Sequence, residues 1–263
     1  MKSEDVGRYW ERNAETWTRQ SRAGYDVYRD ALNTPAFLAM LPDVAGMRGL
    51  DIGCGEGSNT RTVAQAGARM TGIDIASTFI RHAREAEDRD PLGIDFTVGD
   101  ASRLPFADGS FDFAVAFMSL MDMPDQDTAL AEAFRVVRPG GFLQFSILHP
   151  CFVPGGRRTL RDAEGNAYAV EISDYFTPTD GDVERWKFSA VPQEERDAVA
   201  PFEVPRFHRT LSDWVAMVVG AGFMIEAMGE PVASEEVARA APSVADTRIA
   251  PIFLHMRARK LRR

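Results

Sequence analysis

The stretch GLDIGCGEGSN, Gly49 to Asn59, concentrates the residues best suited to chemistry. Gly53, Gly55 and Gly57 repeat as G-x-G-x-G. Glycines so spaced let a backbone turn sharply and let a ligand press against it. The pattern is not the G-x-G-x-x-G of a dinucleotide loop. Carboxylates flank the glycines at Asp51 and Glu56. A pyrophosphate would be repelled there, whereas a nucleoside-like ligand carrying positive charge would gain, most of all where water is excluded. Cys54 sits inside the loop, and the other cysteine is Cys151. With no C-x-x-C pair, both read as free thiols in a reducing compartment, and no metal site is expected.

Further acids fall at positions where a nucleoside could be held. Asp74, followed by Ile75, closes GIDI at about twenty residues past the glycines, where an acid accepts hydrogen bonds from ribose hydroxyls. Asp100 and Ala101 open the segment DASRLPF. Asp122, in LMDMPD, is a candidate catalytic group, with capping of the next helix as the competing role. Of the four histidines, His82 falls in a surface helix and His255 in a late strand. His149 and His208 are placed better, and each could serve as a base or a substrate hydrogen-bond donor.

These positions need elements to hold them. From Arg48 the chain alternates short apolar runs with amphipathic segments: MRGLDIG, NTRTVAQAG, ARMTGIDI, STFIRHAREAE, IDFTVGD, FDFAVAFMS, QDTALAEAFRVV and GFLQFSIL. Repeated strand–helix units predict a parallel sheet with helices on both faces. Thr34, with Pro35 after it, is expected to cap a short helix, and Ser77 to cap another. Gly140 and Gly141 are expected to break the chain before the fifth strand. Residues 150–206 change character: they are rich in proline and scattered aromatics, and predict an irregular insert with one or two short strands. TLSDWVAMVVGAGF then reads as a helix, and FMIEAM and PIFLHMRARK as final strands.

The loop LDIGCGEG resembles the first motif of class I S-adenosylmethionine-dependent methyltransferases. GIDI, GDASRLPF, FDFAVAFMSLMDMPD and VVRPGGFLQFS resemble the following motifs in the same order, covering residues 48–148 well and 207–258 more loosely. The resemblance implies an α/β fold with a doubly wound seven-stranded sheet, mostly parallel, whose last strand is antiparallel. It implies S-adenosylmethionine as cofactor and S-adenosylhomocysteine as product. Asp51, Gly53, Cys54, Gly55, Gly57, Asp74, Ile75, Asp100, Ala101 and Phe117 would then line the cofactor site. Asp51 and Glu56 would face its positive end, and Asp100 the adenine amino group. Phe117 stands where many relatives carry a polar residue, and the Asn/Asp-Pro-Pro-aromatic tetrapeptide of amide-directed nucleic-acid and protein enzymes is absent.

The division expected is a helical cap over 1–42, the cofactor core over 43–149, a substrate lid over 150–206 and completion of the core over 207–263. Tyr9, Trp10, Trp17, Tyr25 and Tyr28 of the cap would join the insert's aromatics around a small, partly apolar or aromatic acceptor. Methylation at O, N or C remains open, as do a non-catalytic cofactor-binding module and an RNA or protein methyltransferase. The net charge of -9 disfavours a broad nucleic-acid surface, and the basic tail Arg257 to Arg263 reads as a solvated end. The polar, acidic start and the lack of a long apolar run point to a cytoplasmic protein without membrane spans; monomer and homodimer stay equally open.

Overall fold

The computed structural model describes residues 1–262. The chain begins with α1 (Ser3–Arg22), whose first turn carries Glu4 and Asp5 and whose last turn carries Arg19 and Arg22, both complementing the helix dipole. A π-helical turn, Arg29–Asn33, runs directly into α2 (Thr34–Met40). Thr34 is therefore helical rather than a cap, and its hydroxyl donates to Asn59 Oδ1 at 2.9 Å.

The core follows as β1 (Arg48–Ile52), α3 (Ser58–Gln65), β2 (Arg69–Asp74), α4 (Ser77–Arg89), β3 (Asp95–Val98), β4 (Phe111–Phe117), α5 (Gln126–Val136) and β5 (Val137–Leu148). Ser77 does not cap α4. Glu11 of α1 does so from outside, accepting from the Thr78 N–H and from the Ser77 and Thr78 hydroxyls. The Pro139-Gly140-Gly141 stretch lies inside β5 as an irregularity, where pairing with β4 jumps from Phe111–Val137 to Phe113–Phe142.

The insert is more regular than its composition suggests. β6 (Gly156–Arg161) and β7 (Ala167–Ser173) form one antiparallel hairpin. β8 (Asp182–Trp186) and β9 (Phe202–Arg206) form a second, with α6 (Gln193–Ala198) between them. Their two-sided polar strands lack a clean alternation, so the hairpins leave little trace in the sequence. The chain closes with α7 (Leu211–Gly220), β10 (Met224–Gly229), α8 (Glu235–Ala240), a 3-10 segment over Pro242–Arg248, and β11 (Phe253–Arg259).

Seven strands form one sheet in the order β10–β11–β5–β4–β1–β2–β3, with β11 antiparallel to both neighbours and the others parallel. Successive residues of β4 face opposite sides. Ala114 and Ala116 pack with Leu130 and Trp214 beneath α5 and α7, while Phe113, Val115 and Phe117 pack with Phe37, Val63 and Ile80 beneath α2, α3 and α4. Arg257 and Arg259 belong to β11 and pair with Glu226, so the start of the basic tail is sheet rather than free end; Arg263 lies outside the described residues. Among the described residues no helix is long and apolar enough to cross a membrane.

Candidate active site

The strand order reverses between β4 and β1, and the crevice at their carboxyl ends is where such sheets bind ligands. A cavity of about 540 Å³ opens there, a size that suits small-molecule sites. One end is built by the glycine loop and the ends of β2 and β3. Asp51, Gly53, Cys54, Gly55, Asp74, Ile75, Asp100, Ala101 and Phe117 all line it. Gly53, at φ +72°, turns against Ser119, whose hydroxyl donates to the Ile52 carbonyl; a side chain here would be both strained and blocked. Gly57 does not line the cavity. It occupies φ +86° at the start of α3, and a Cβ there would meet the Phe96 ring at 2.8 Å, so its role is to the turn.

Of the acids at this end, Asp51 and Glu56 are buried and Asp74 and Asp100 are half-buried. Asp51 Oδ2 accepts from the Thr60 hydroxyl at 2.6 Å, while Oδ1 is buried with no hydrogen-bond partner. Burial pushes its carboxyl up to about 7, against the Thr60 hydrogen bond and helped by the Asp74 charge. Asp74 receives the Gly55 and Ala76 N–H groups, one on each oxygen, both at 2.9 Å. Burial raises it to about 6. A carboxylate has about four acceptor positions, so two remain open on Asp74. Asp100 Oδ1 holds the Ser102 N–H at 2.8 Å. Glu56 also lines the cavity, where Arg22 of α1 pairs with it at 2.9 Å and Arg29 approaches to 3.9 Å, so the cap already neutralises part of its charge.

The other end is closed by the cap and the insert. Trp10, Trp17, Tyr25 and Tyr28 line it together with Trp186 and Phe188 of the insert. Trp17 is the hub, with ring centroids 5.4 Å from Trp186, 5.0 Å from Phe188 and 4.9 Å from Phe202. The Tyr28 hydroxyl donates toward the Ser243 carbonyl and Asp246. Tyr9 is not brought to the cavity and lies instead beneath Arg12. Asp122 follows β4 on a 3-10 turn and lines the cavity, buried, with Oδ1 unpartnered. Asp125, not Asp122, caps α5 by accepting from the Thr128 N–H. Burial raises Asp122 to about 7, with Arg206 at 3.7 Å pulling down and Glu184 pushing up.

Neither expected histidine reaches this cavity. His149 is buried with Nε2 on Glu230 at 2.7 Å, and its Nδ1 accepts from the Cys151 N–H at 3.2 Å. Both ring nitrogens are thus committed to fixing the turn after β5. His208 Nε2 donates to the Tyr175 carbonyl at 2.8 Å, and the ring lies behind the cavity wall beside Trp214. The bound carbonyl must take an N–H, which leaves Nε2 unable to accept a proton.

Residues 50–145 match a family model described as a methyltransferase domain. The O-methyltransferase cnsE of Penicillium expansum is 38% identical over 149 residues, 54% of this chain and 51% of that protein. The demethylmenaquinone methyltransferase of Renibacterium salmoninarum is 36% identical over 140 residues, 49% of this chain and 56% of that protein. The chain thus spans about half the length of the curated relatives it matches. A solved S-adenosylmethionine-dependent methyltransferase from Mesorhizobium loti superposes with a TM-score of 0.69 at 28% identity, over 86% of this chain and 96% of that one. Residues 50–145 thus match a methyltransferase domain, and the fold is that of a solved S-adenosylmethionine-dependent methyltransferase.

Several residues of the cavity carried no sequence signal. Met118 lines it in a left-handed conformation, φ +53°, with its N–H directed to Ser146. Such backbone strain in a non-glycine residue persists only where surrounding structure enforces it. Arg29, Arg157 and Arg206 also line the cavity. Arg157 and Arg206 come from the insert, where no periodicity indicates which face a residue takes.

Proposed function

We propose that the protein is an S-adenosylmethionine-dependent methyltransferase acting on a small molecule, and that the glycine loop with Asp51, Asp74, Asp100 and Ala101 holds the cofactor. The observation that carries this is the unpartnered, buried Asp51 oxygen in a cavity wall made by the loop. A buried acid without a partner is costly, and a cationic ligand would relieve that cost. The open acceptor positions of Asp74 suit ribose hydroxyls, and Asp100 suits the adenine amino group. When bound, the cofactor supplies an electrophilic methyl group on a positive sulfur.

The chain's own part is to orient the acceptor, exclude water and manage a proton. Trp10, Trp17, Trp186 and Phe188 give an apolar wall for a flat or partly apolar acceptor. Asp122, the buried carboxylate beside Arg206, is poised near neutrality, which matches what a general base requires. Alignment of the reactants supplies much of the remaining rate. The cap, 1–42, and the lid, 150–206, would act together, because α1 and β9 are joined by Asn13 and Glu203.

Calorimetry with S-adenosylhomocysteine, S-adenosylmethionine and NAD tests the cofactor assignment. Binding of the first two without NAD is expected, and Asp74→Ala should weaken it at least tenfold, about 1.4 kcal/mol. Binding of NAD alone would overturn the assignment. A labelled-methyl screen against metabolite extracts, RNA and protein then tests the reaction; label confined to the small-molecule fraction is expected.

A further inference from the structure

Arg206 stands out among the charged groups of the cavity. Its side chain is only 14% exposed, yet among the described residues its guanidinium makes no hydrogen bond. Its contacts are two loose ion pairs, Asp122 at 3.7 Å and Glu184 at 3.5 Å. All three residues line the cavity, and Glu184 is half exposed at its rim. The position of Arg206 is firmly set. It ends β9, is paired with Asp182 of β8, and its carbonyl accepts from Gly181 N–H and the Thr179 hydroxyl. A guanidinium offers five donors in a rigid plane, so a fixed, nearly buried one without a hydrogen bond is primed for an oxygen that is not part of the chain.

We propose that Arg206 and Asp122 together receive a hydroxyl acceptor, a phenol or an enol, and that Arg206 is a further catalytic residue that holds the oxygen as it becomes an oxyanion. This deepens the reading of the site as a methyltransferase and rests on it. The balance of charge chooses the acceptor class. Arg206 already lies between two carboxyl groups, so an acceptor that arrives fully anionic meets Asp122 and Glu184 as well. An amine offers no acceptor for the guanidinium N–H groups once its lone pair is used. A hydroxyl fits both partners: it donates to Asp122 and accepts from Arg206. In the reaction the O–H bond breaks and its proton passes to the Asp122 carboxylate. The oxygen lone pair forms the new O–CH3 bond as the carbon–sulfur bond breaks, and that electron pair stays on sulfur. Charge that develops on oxygen beside a preorganised cation in a dry wall is where stabilisation is greatest. The aromatic wall of Trp10, Trp17, Trp186 and Phe188 suits the flat body of a phenol.

The test is equilibrium dialysis of 4-nitrophenol, 4-nitroaniline and 4-nitrobenzoate in the presence of saturating S-adenosylhomocysteine, with the phenolate read by its visible absorption. The phenol should bind roughly tenfold more tightly than the amine or the carboxylate, and should be ionised when bound at a pH where it is neutral in solution. Arg206→Met should weaken phenol binding roughly tenfold, Arg206→Lys should recover part of it, and Asp122→Asn should lower the ionised fraction. S-adenosylhomocysteine affinity, measured in each variant, should stay within about twofold, which separates a local loss from misfolding. Equal binding of the amine or stronger binding of the carboxylate would overturn the proposal. So would unchanged phenol binding in Arg206→Met, or no binding of any of the three probes. Failure of the unaltered protein to bind S-adenosylhomocysteine would instead remove the cofactor assignment on which the proposal stands.

Discussion

Asp51 carries the proposed cofactor pairing on a single buried side chain. Its carboxyl is raised to about 7 chiefly by burial, so in the ligand-free protein it is largely protonated below neutrality. A cationic ligand pairs with the ionised form. Affinity for S-adenosylhomocysteine, which keeps the ammonium group, should therefore rise by up to about tenfold per pH unit below 7 and level off above it. Calorimetry between about pH 5.5 and 8.5 checks this, and Asp51→Asn should flatten the profile. A profile already flat in the unaltered protein would remove Asp51 from the pairing. Asp51 and Asp74 are legible as cavity-lining acids because both lie at the carboxyl ends of strands. The pairing of Glu56 is not legible, since its partner Arg22 lies 34 positions earlier in a different element.

At the scale of elements, the cap is a structural part of the site. α1 supplies Glu11 to the start of α4, Arg22 to the glycine loop and Trp17 to the insert. Arg22→Ala leaves the buried Glu56 with Arg29 at 3.9 Å alone. Breaking a buried pair by removing one partner is costly, and allowing for the partial exposure of Arg22, urea unfolding should register a loss of about 1–3 kcal/mol. Arg22→Ala with Glu56→Gln should recover part of that loss; a double variant no better than the single one would show that the contact does not act through charge. The helices and strands of the core were legible because each shows its own period of apolar residues. The hairpins β6–β7 and β8–β9 were not: the first has no buried strand residue, and the apolar residues of the second, Phe202 and Val204, pack on Trp10 and Trp17 of the distant α1.

For the whole molecule, the cavity sets a pH dependence of stability. Asp51 and Asp122 are raised to about 7, and Asp74 and Asp26 to about 6, each mainly by burial. Unfolded aspartates ionise near 3.9. Between those limits the folded chain holds protons that the unfolded chain has released, so stability falls as pH rises. His255, lowered to about 4 by burial, acts in the opposite sense between about 4 and 6.5, but it is one group against four. Ligand-free protein should thus resist urea better at pH 5 than at pH 8, by several kcal/mol. Saturating S-adenosylhomocysteine should offset part of that decline, by about 2.7 kcal/mol at a hundredfold excess over Kd. Stability that rises steadily from pH 5 to 8 would contradict the burial of these acids.

What the sequence alone determined is the parallel sheet, the glycine loop and the acids that end its strands. These depend on residues adjacent in the chain or on short periodic spacing, which a strand or helix writes directly into its own residues. The closure of the cavity was decided only by tertiary structure. Asn13 meets Glu203 across 190 positions, and Arg206 meets Asp122 through a hairpin whose faces bear no regular pattern. The same folding carried His149 and His208 away from the acceptor and left Asp122 in place. A charge buried by distant segments takes its character from what surrounds it, and that surrounding is set by contacts no local spacing encodes.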